Sequence, residues 1–143
     1  MIIRPMTIDD YDAVRALMHG TPGVSLRAAD SRESVERYLV RNPVLSQVAE
    51  IDGRIVGCLF AGHDGRRGML NHLVVHPDVR RQGIGRQLVE TALDGLAAEG
   101  ILKTHLVVFA DNETAIAFWQ ELGWGARDDL RGFSFNRSAD PNA

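Results

Sequence analysis

The first forty residues carry apolar side chains at the three- and four-residue spacings of helices. A short strand, 2–4, precedes them. One stripe predicts a helix that begins after Thr7, whose hydroxyl can cap it, and ends near His19. A second stripe predicts a helix that begins at Asp30 or Ser31 and ends before Pro43. The stripes consist of Ile8, Tyr11, Val14, Leu17 and Met18, and of Val35, Tyr38 and Leu39.

The middle of the chain has the composition and the turns of an antiparallel meander. Residues 44–51 and 54–61 predict two strands, and Asp52-Gly53 between them is a strong two-residue hairpin turn. Residues 62–68 form a second glycine-rich turn, and residues 69–75 predict the next strand. Three consecutive antiparallel strands are therefore expected.

After Pro77 the apolar spacing becomes helical again. Residues 83–99 predict a long amphipathic helix that ends at Gly100. A short strand at 104–109, a helix at 112–122 and a weak last strand at 133–136 follow, and the tail 138–143 is expected to be frayed.

This order of elements predicts one α/β domain over residues 1–143, built on a mixed sheet. A helix between the strands at 69–75 and 104–109 makes a crossover, so the sheet should change there from antiparallel to parallel. Ligands bind preferentially at such junctions, beside the carboxyl ends of the strands. A ligand-binding site is therefore predicted in the region after residue 75.

Composition and charge narrow the function classes. Apolar residues make up 45% of the chain and charged residues 24%, which fits one core of ordinary size. The formal net charge of -3 argues against a general surface for nucleic acid or anionic lipid. The single cysteine, Cys58, excludes an intrachain disulfide. With no membrane-length apolar run and no secretory signal pattern, a soluble cytoplasmic protein is expected.

The segment 80–86, Arg-Arg-Gln-Gly-Ile-Gly-Arg, combines the features of an anion site. It begins the long helix, where free backbone N–H groups and the helix dipole attract phosphate. Two glycines would let a phosphate approach the main chain, and three arginines add fixed positive charge. Taken alone, glycines and arginines of this kind are more often turn and surface residues. The position between a strand and a long helix favours the anion site, and no Gly-Lys-Ser/Thr follows that would make it an ATP-type phosphate loop.

Residues 73–85, Leu-Val-Val-His-Pro-Asp-Val-Arg-Arg-Gln-Gly-Ile-Gly, resemble the acetyl-CoA motif of the GNAT family of N-acetyltransferases. Residues 111–124 resemble the family's second motif, Asn-x-x-Ala-x-x-Phe-Tyr-x-x-x-Gly-Phe, and the element order is similar over about 2–136. Residues 62–68, Trp119 and Asp128-Asp129 are similar to an uncharacterised bacterial subgroup. The resemblance implies a twisted mixed sheet of six to seven strands with about four helices.

The resemblance also implies the roles of individual residues. Acetyl-CoA would be the co-substrate, and its acetyl group would pass directly to a primary amine of a small molecule, peptide or protein. The main chain of Leu73, Val74 and Val75 would bind the pantetheine arm. The remaining cofactor-binding residues implied by the resemblance are Arg80, Arg81, Gln82, Gly83, Ile84, Gly85 and Arg86 for the pyrophosphate, and Asn112, Ala115, Phe118 and Trp119 beside the arm.

Proton transfer is where this sequence departs from the family. His72 is the candidate general base, with a hydrogen-bonded surface histidine as the equal alternative. The family's usual acid is a tyrosine, and Trp119 stands in its place. An indole can donate a hydrogen bond to a thiolate but cannot protonate it, which leaves water, another side chain or no dedicated acid. No metal is expected, because the five histidines show no ligand spacing.

The sequence says less about the acceptor substrate and the oligomeric state. By resemblance, the acceptor would lie between residues 20–30 and 128–133, where Asp30, Glu33, Asp128 and Asp129 could attract a cationic amine or could simply be solvated charges. A non-catalytic acyl-CoA-binding module is the alternative function. A dinucleotide site is disfavoured by Leu88, which occupies the position of the third small residue. A homodimer is compatible with the sequence.

Overall fold

A computed structural model describes all 143 residues as a five-stranded sheet with helices on both faces. The strands lie in the order of the chain, and only the last pair is parallel. The strands are β1 (Ile2–Pro5), β2 (Gln47–Ile51), β3 (Arg54–His63), β4 (Gly68–Val75) and β5 (Thr104–His105). The helices are α1 (Tyr11–His19), α2 (Arg32–Arg41), α3 (Ile84–Ala98) and α4 (Glu113–Glu121). The mixed α/β fold expected from the sequence is confirmed.

The antiparallel meander also forms as predicted. Asp52 and Gly53 have φ angles of 48° and 77°, the left-handed pair that a type I′ turn requires. The turn sets the register of β2 and β3 by pairing Ile51 with Arg54. The side-chain pattern and the turn residues therefore agree on the same hairpin.

The predicted number of strands is too high at the carboxyl end of the chain. Of the strand expected at 104–109, only Thr104 and His105 pair with β4. The strand expected at 133–136 does not form, and Phe133 and Phe135 are 91% and 88% exposed. Their β-forming side chains meet no neighbouring strand, and a strand without a ladder partner is not stable. The sheet has five strands rather than six to seven.

Two apolar layers hold the helices against the sheet. One layer joins α3 to the sheet through residues such as Leu59, Leu88 and Leu96, all of them fully buried. The other joins α1 and α2 to the opposite face through Val14, Met18, Val35, Val48 and Phe60, among others. Because both faces are covered, the functional groups must lie at the ends and edges of the strands.

The lone cysteine belongs to the second of these layers. Cys58 has no exposed surface, and burial raises the pKa of its thiol to about 12. The thiol is therefore neutral near pH 7 and is a core residue rather than a nucleophile.

No helix could cross a bilayer, since the longest, α3, has only fifteen residues and none combines the required length and apolar character.

An ion pair between Arg4 and Asp10 joins β1 to the start of the first helix. The guanidinium donates two hydrogen bonds to the carboxylate, of 2.8 and 2.9 Å, and the backbone N–H of Thr7 donates a third of 2.8 Å. Asp10 is buried, and the hydrogen bonds from Arg4 hold the pKa of its carboxyl below the ordinary value. This contact fixes the entry of the chain into α1.

Replacing Asp10 by Asn should lower the free energy of unfolding at pH 7 by about 1–2 kcal/mol, because Arg4 and Thr7 lose a charged acceptor. A carboxyl with a lowered pKa stabilises the fold above its ordinary pKa of about 4 and loses that effect as the pH falls through the folded value. The difference between wild type and Asp10→Asn should therefore shrink below about pH 4. Denaturant unfolding measures it, with exposed Asp9→Asn as the control. A difference that is independent of pH would contradict the ion pair.

Candidate functional site

A run of unpaired backbone donors marks the start of α3. The six consecutive N–H groups from Arg81 to Arg86 donate to no backbone or side-chain acceptor in the chain. The first intrahelical bond here is from the N–H of Gln87 to the carbonyl of Gly83. Arg81 and Gly83 have φ angles of 63° and 77°, so the loop alternates into left-handed conformations, which curl successive N–H groups around an anion.

The side chains around this loop are cationic. Arg80, Arg81 and Arg86 are exposed, and none of them lies within 4.0 Å of a carboxylate. Arg80 donates through Nε to the carbonyl of Val75 at 3.2 Å, which holds its side chain across the end of β4. Free amides, a helix dipole and unpaired guanidinium groups thus meet in one place, which is the donor set that a pyrophosphate needs.

The edge of β4 beside this loop is open. β4 pairs with β5 only through Gly68 with Thr104 and Met69 with His105. From residue 70 onward the parallel neighbour is gone, while β3 continues to pair on the other side as far as Val75. An extended ligand can therefore lie along residues 73–75 in the place of a strand. Of the predicted pantetheine contacts, all three lie on this open stretch.

A β-bulge interrupts β4 at its centre. Cys58 pairs with Val74 and Phe60 with Asn71, so that Leu59 alone faces His72 and Leu73. His72 takes up the extra residue with a φ of 51°, which is strained for a residue other than glycine. A bulge of this kind removes main-chain groups from the ladder and redirects side chains, and it often lies next to an active site.

The α4 helix closes one side of the loop. A Cβ placed on Gly85 would lie 3.3 Å from Cζ of Phe118 and 3.8 Å from Cγ2 of Val75, so these three residues meet closely. Asn112 caps α4 by accepting from the N–H of Ala115 at 3.1 Å. Its amide also lies against residues 20–30, since a Cβ on Gly23 would be 2.8 Å from Nδ2. Phe118 thus lies beside the loop, and Asn112 lies against the segment at 20–30, with Ala115 hydrogen-bonded to it.

Trp119 packs with its aromatic neighbours. Its ring centroid lies 5.1 Å from that of Phe118 and 5.0 Å from that of Trp124, in edge-on arrangements, and it is packed against the α3 layer. Edge-on aromatic pairs of this kind stabilise a fold. The indole therefore has a packing role, and its role beside the thioester stays a prediction.

His72 has a partner that sequence reasoning missed. Its Nε2 lies 2.8 Å from Oδ1 of Asp30, which belongs to the turn before α2. Asp30 is only 8% exposed, so its interpretation as a solvated surface charge is wrong. The two residues are 42 positions apart in the chain, and no spacing rule connects them. The one available signal was the placement of Asp30 at a predicted helix start, where a carboxylate folds back on the chain.

The other acidic and histidine candidates lie elsewhere. Glu33 and Asp128 are exposed, and Asp129 forms an ion pair with Arg127 through two contacts of 3.1 Å. His63, the last residue of β3, lies 3.0 Å from Glu99 through Nε2 and accepts from the N–H of Gly65 through Nδ1. These contacts fix the turn. The expectation that the protein needs no metal stays a prediction, as does the frayed tail at 138–143.

The chain matches known acetyltransferases along most of its length. The model of the Acetyltransferase (GNAT) family matches residues 11–124. An acetyltransferase of Pectobacterium atrosepticum is 38% identical over 129 residues, which is 90% of each chain. An acetyltransferase of Sodalis glossinidius is 35% identical over 131 residues, or 91% of each.

Solved structures share the fold. The PaiA N-acetyltransferase of Thermoplasma acidophilum, solved with coenzyme A, superposes with a TM-score of 0.78 at 21% identity and covers 89% of this chain and 91% of its own. The aminoglycoside N-acetyltransferase AAC(6')-Iy, also solved with CoA, gives 0.76 at 20% identity and covers 96% and 95%. With the family match and the close relatives, these likenesses confirm the predicted fold class, and the chain belongs to the GNAT family of acetyltransferases.

Proposed function

We propose that this acetyltransferase uses the junction of β4 and α3 to move an acetyl group from acetyl-CoA directly to a primary amine. The observation that supports it is the run of six free backbone amides from Arg81 to Arg86 beside the open edge of β4. A diphosphate and an extended amide-bearing arm are the two parts of CoA that such a surface fits. The structural neighbours solved with CoA have the same fold.

Each element of the site then has one binding task. The amides of residues 81–86 and the guanidinium groups of Arg80, Arg81 and Arg86 hold the pyrophosphate. The main chain of Leu73, Val74 and Val75 hydrogen-bonds the pantetheine arm as a strand would. Phe118 and Asn112 form the wall on the α4 side, with Ala115 between them on the same helix. Bound in this way, acetyl-CoA supplies the activated thioester.

The transfer needs positioning more than covalent catalysis. The neutral amine attacks the thioester carbonyl carbon, the new C–N bond forms, and the C–S bond breaks with CoA leaving as its thiolate. A main-chain N–H at the bulge of His72 and Leu73 stabilises the negative charge on the carbonyl oxygen. The proton that the amine loses goes to His72, directly or through water.

Water protonates the departing CoA thiolate. Trp119 can donate a hydrogen bond through its indole N–H but has no proton to give. Neither tyrosine replaces it, since Tyr11 donates its hydroxyl to the Asp30 carbonyl and Tyr38 lies against Gly62. Burial raises the pKa of Tyr38 to about 12, which also makes it a poor acid for a thiolate.

The acceptor is a primary amine of a small molecule or of a peptide, bound on the side of residues 20–30. Named neighbours of both kinds share the fold, an aminoglycoside N-acetyltransferase and the ribosomal-protein-S18-alanine N-acetyltransferase of Escherichia coli. The relatives that match nine-tenths of the chain are acetyltransferases. This similarity favours an enzyme over a non-catalytic acyl-CoA-binding module.

Turnover is the direct test of the proposal. Wild-type protein given acetyl-CoA and a panel of polyamines, aminoglycosides, amino acids and peptide N-termini should release free CoA with at least one amine, as measured with a thiol reagent. Mass spectrometry should show the matching acetylated amine. Tight acetyl-CoA binding without CoA release across the panel would favour the binding module.

A bulky side chain at Gly83 should strongly weaken acetyl-CoA binding. No atom lies within 4 Å of a Cβ placed there, so the fold has room for it, but the side chain would occupy the mouth of the amide run. Gly83→Leu is expected to raise the calorimetric Kd by more than about tenfold, or about 1.4 kcal/mol. Gly100→Leu is the matched control, because Gly100 also has a positive φ, 84°, and open space, at the far end of α3. Equal affinities in the two variants would overturn the site.

Neutralising the loop arginines should weaken acetyl-CoA binding in a salt-dependent way. Arg81→Gln and Arg86→Gln are each expected to raise Kd by about two- to fivefold at low salt, and the difference should fade as salt screens exposed charges. Arg66→Gln in the β3–β4 turn removes the same charge away from the site and should leave Kd unchanged. Calorimetry at 50 and 500 mM salt makes the comparison, and an equal effect of all three variants would show that only net charge matters.

A further inference from the structure

We infer that Asp30 is a positioning residue that fixes the ring of His72 so that Nδ1 is the basic nitrogen. This inference rests on the proposed function. The imidazole Nε2 and the Asp30 Oδ1 atom are 2.8 Å apart, and both side chains are largely shielded from solvent. Nδ1 of the same ring makes no hydrogen bond with any group of the chain. The pair joins the bulge of β4 to the turn before α2.

Asp30 is itself held from two sides. Its second carboxylate oxygen, Oδ2, accepts from the backbone N–H of Arg27 at 2.9 Å. Its main-chain carbonyl accepts from the hydroxyl of Tyr11 on α1 at 2.6 Å. Both carboxylate oxygens therefore have assigned donors, and the residue cannot turn away from His72 without breaking another bond.

The chemistry of the two groups decides the tautomer. An ionised carboxylate only accepts hydrogen bonds, so the ring must place its proton on Nε2. In the neutral ring Nδ1 then carries the lone pair. When Nδ1 takes the proton from the amine, the positive ring lies against a negative carboxylate that is already in place. A carboxylate plays the same two parts toward the histidine of a hydrolase triad.

The bulge and the aromatic wall complete the orientation. The left-handed φ of His72 redirects its side chain from the regular alternation of β4. The ring stands edge-on to Phe60, with centroids 5.8 Å apart and an interplanar angle of 85°. Two contacts, one from the turn before α2 and one from β3, thus hold a ring that the bulge of β4 has redirected.

Asp30 is the only charged group hydrogen-bonded to the ring. The Cys58 thiol on β3 donates to the carbonyl of His72 at 3.5 Å and is neutral, and Tyr38 on α2, behind Phe60, is neutral as well. Among the cations close in sequence, Arg27 lies three residues before Asp30, and Cζ of Arg32 stands 5.6 Å from the centre of the Tyr11 ring. Asp30 is therefore the charged group that orients the ring.

Kinetics on the intact protein tests the inference with the amine found in the CoA-release panel. His72→Gln should lower kcat by about 10²–10⁴-fold and leave the KM for acetyl-CoA nearly unchanged. Asp30→Asn should lower kcat by at least about tenfold, through ring orientation and loss of charge. The double variant should be no slower than His72→Gln alone, because Asp30 acts through the ring. Glu36→Gln, which removes an exposed charge from α2, is the matched control.

The double variant separates positioning from an independent contribution to catalysis. Independent, multiplicative losses in the double variant would overturn the positioning role.

A spectroscopic measurement tests the pair without activity. Long-range proton–nitrogen NMR spectra should show His72, assigned with His72→Gln, as the neutral tautomer protonated at Nε2, and this preference should weaken in Asp30→Asn. A ring protonated at Nδ1 in wild type would overturn the inference. If the tautomer is as expected but no amine releases CoA, the proposed function fails while the pair stands.

Discussion

The candidate site is built around the point where β4 separates from β5. Parallel pairing lasts for two residue pairs, after which β4 keeps its partner only on the β3 side. An unpaired strand edge exposes main-chain donors and acceptors and is usually covered by other parts of the chain. Here it continues into a loop whose own amides are also free. One backbone path therefore offers both a strand edge and an anion cradle.

The charge of this site is local. The chain as a whole has a formal net charge of -3, yet the loop at 80–86 contains three arginines and no carboxylate. By contrast, Arg4 is paired with Asp10 and Arg127 with Asp129. Because exposed charges act over about one Debye length, roughly 8–10 Å, the loop keeps its positive character in an acidic protein.

Two aspartates perform the same structural task at the two helix starts, and only one also faces the site. Asp10 and Asp30 each accept the backbone N–H three residues earlier, which orders the entry into a helix. The remaining oxygen of Asp10 is taken by Arg4, whereas that of Asp30 faces His72. The difference lies in which strand passes beneath each turn, β1 in one case and the bulge of β4 in the other.

The mixed α/β fold, the hairpin at Asp52-Gly53 and the position of the anion loop follow from the amino-acid sequence alone, because each depends on residues within a few positions of one another. The tertiary packing sets the number of strands, since a strand needs a pairing partner and residues 133–136 have none. It also decided the partnership of His72 and Asp30. Their contact crosses 42 residues and needs a bulge in β4 and a turn before α2 at once. Local sequence patterns do not predict this contact, because it results from how the helices pack on the sheet.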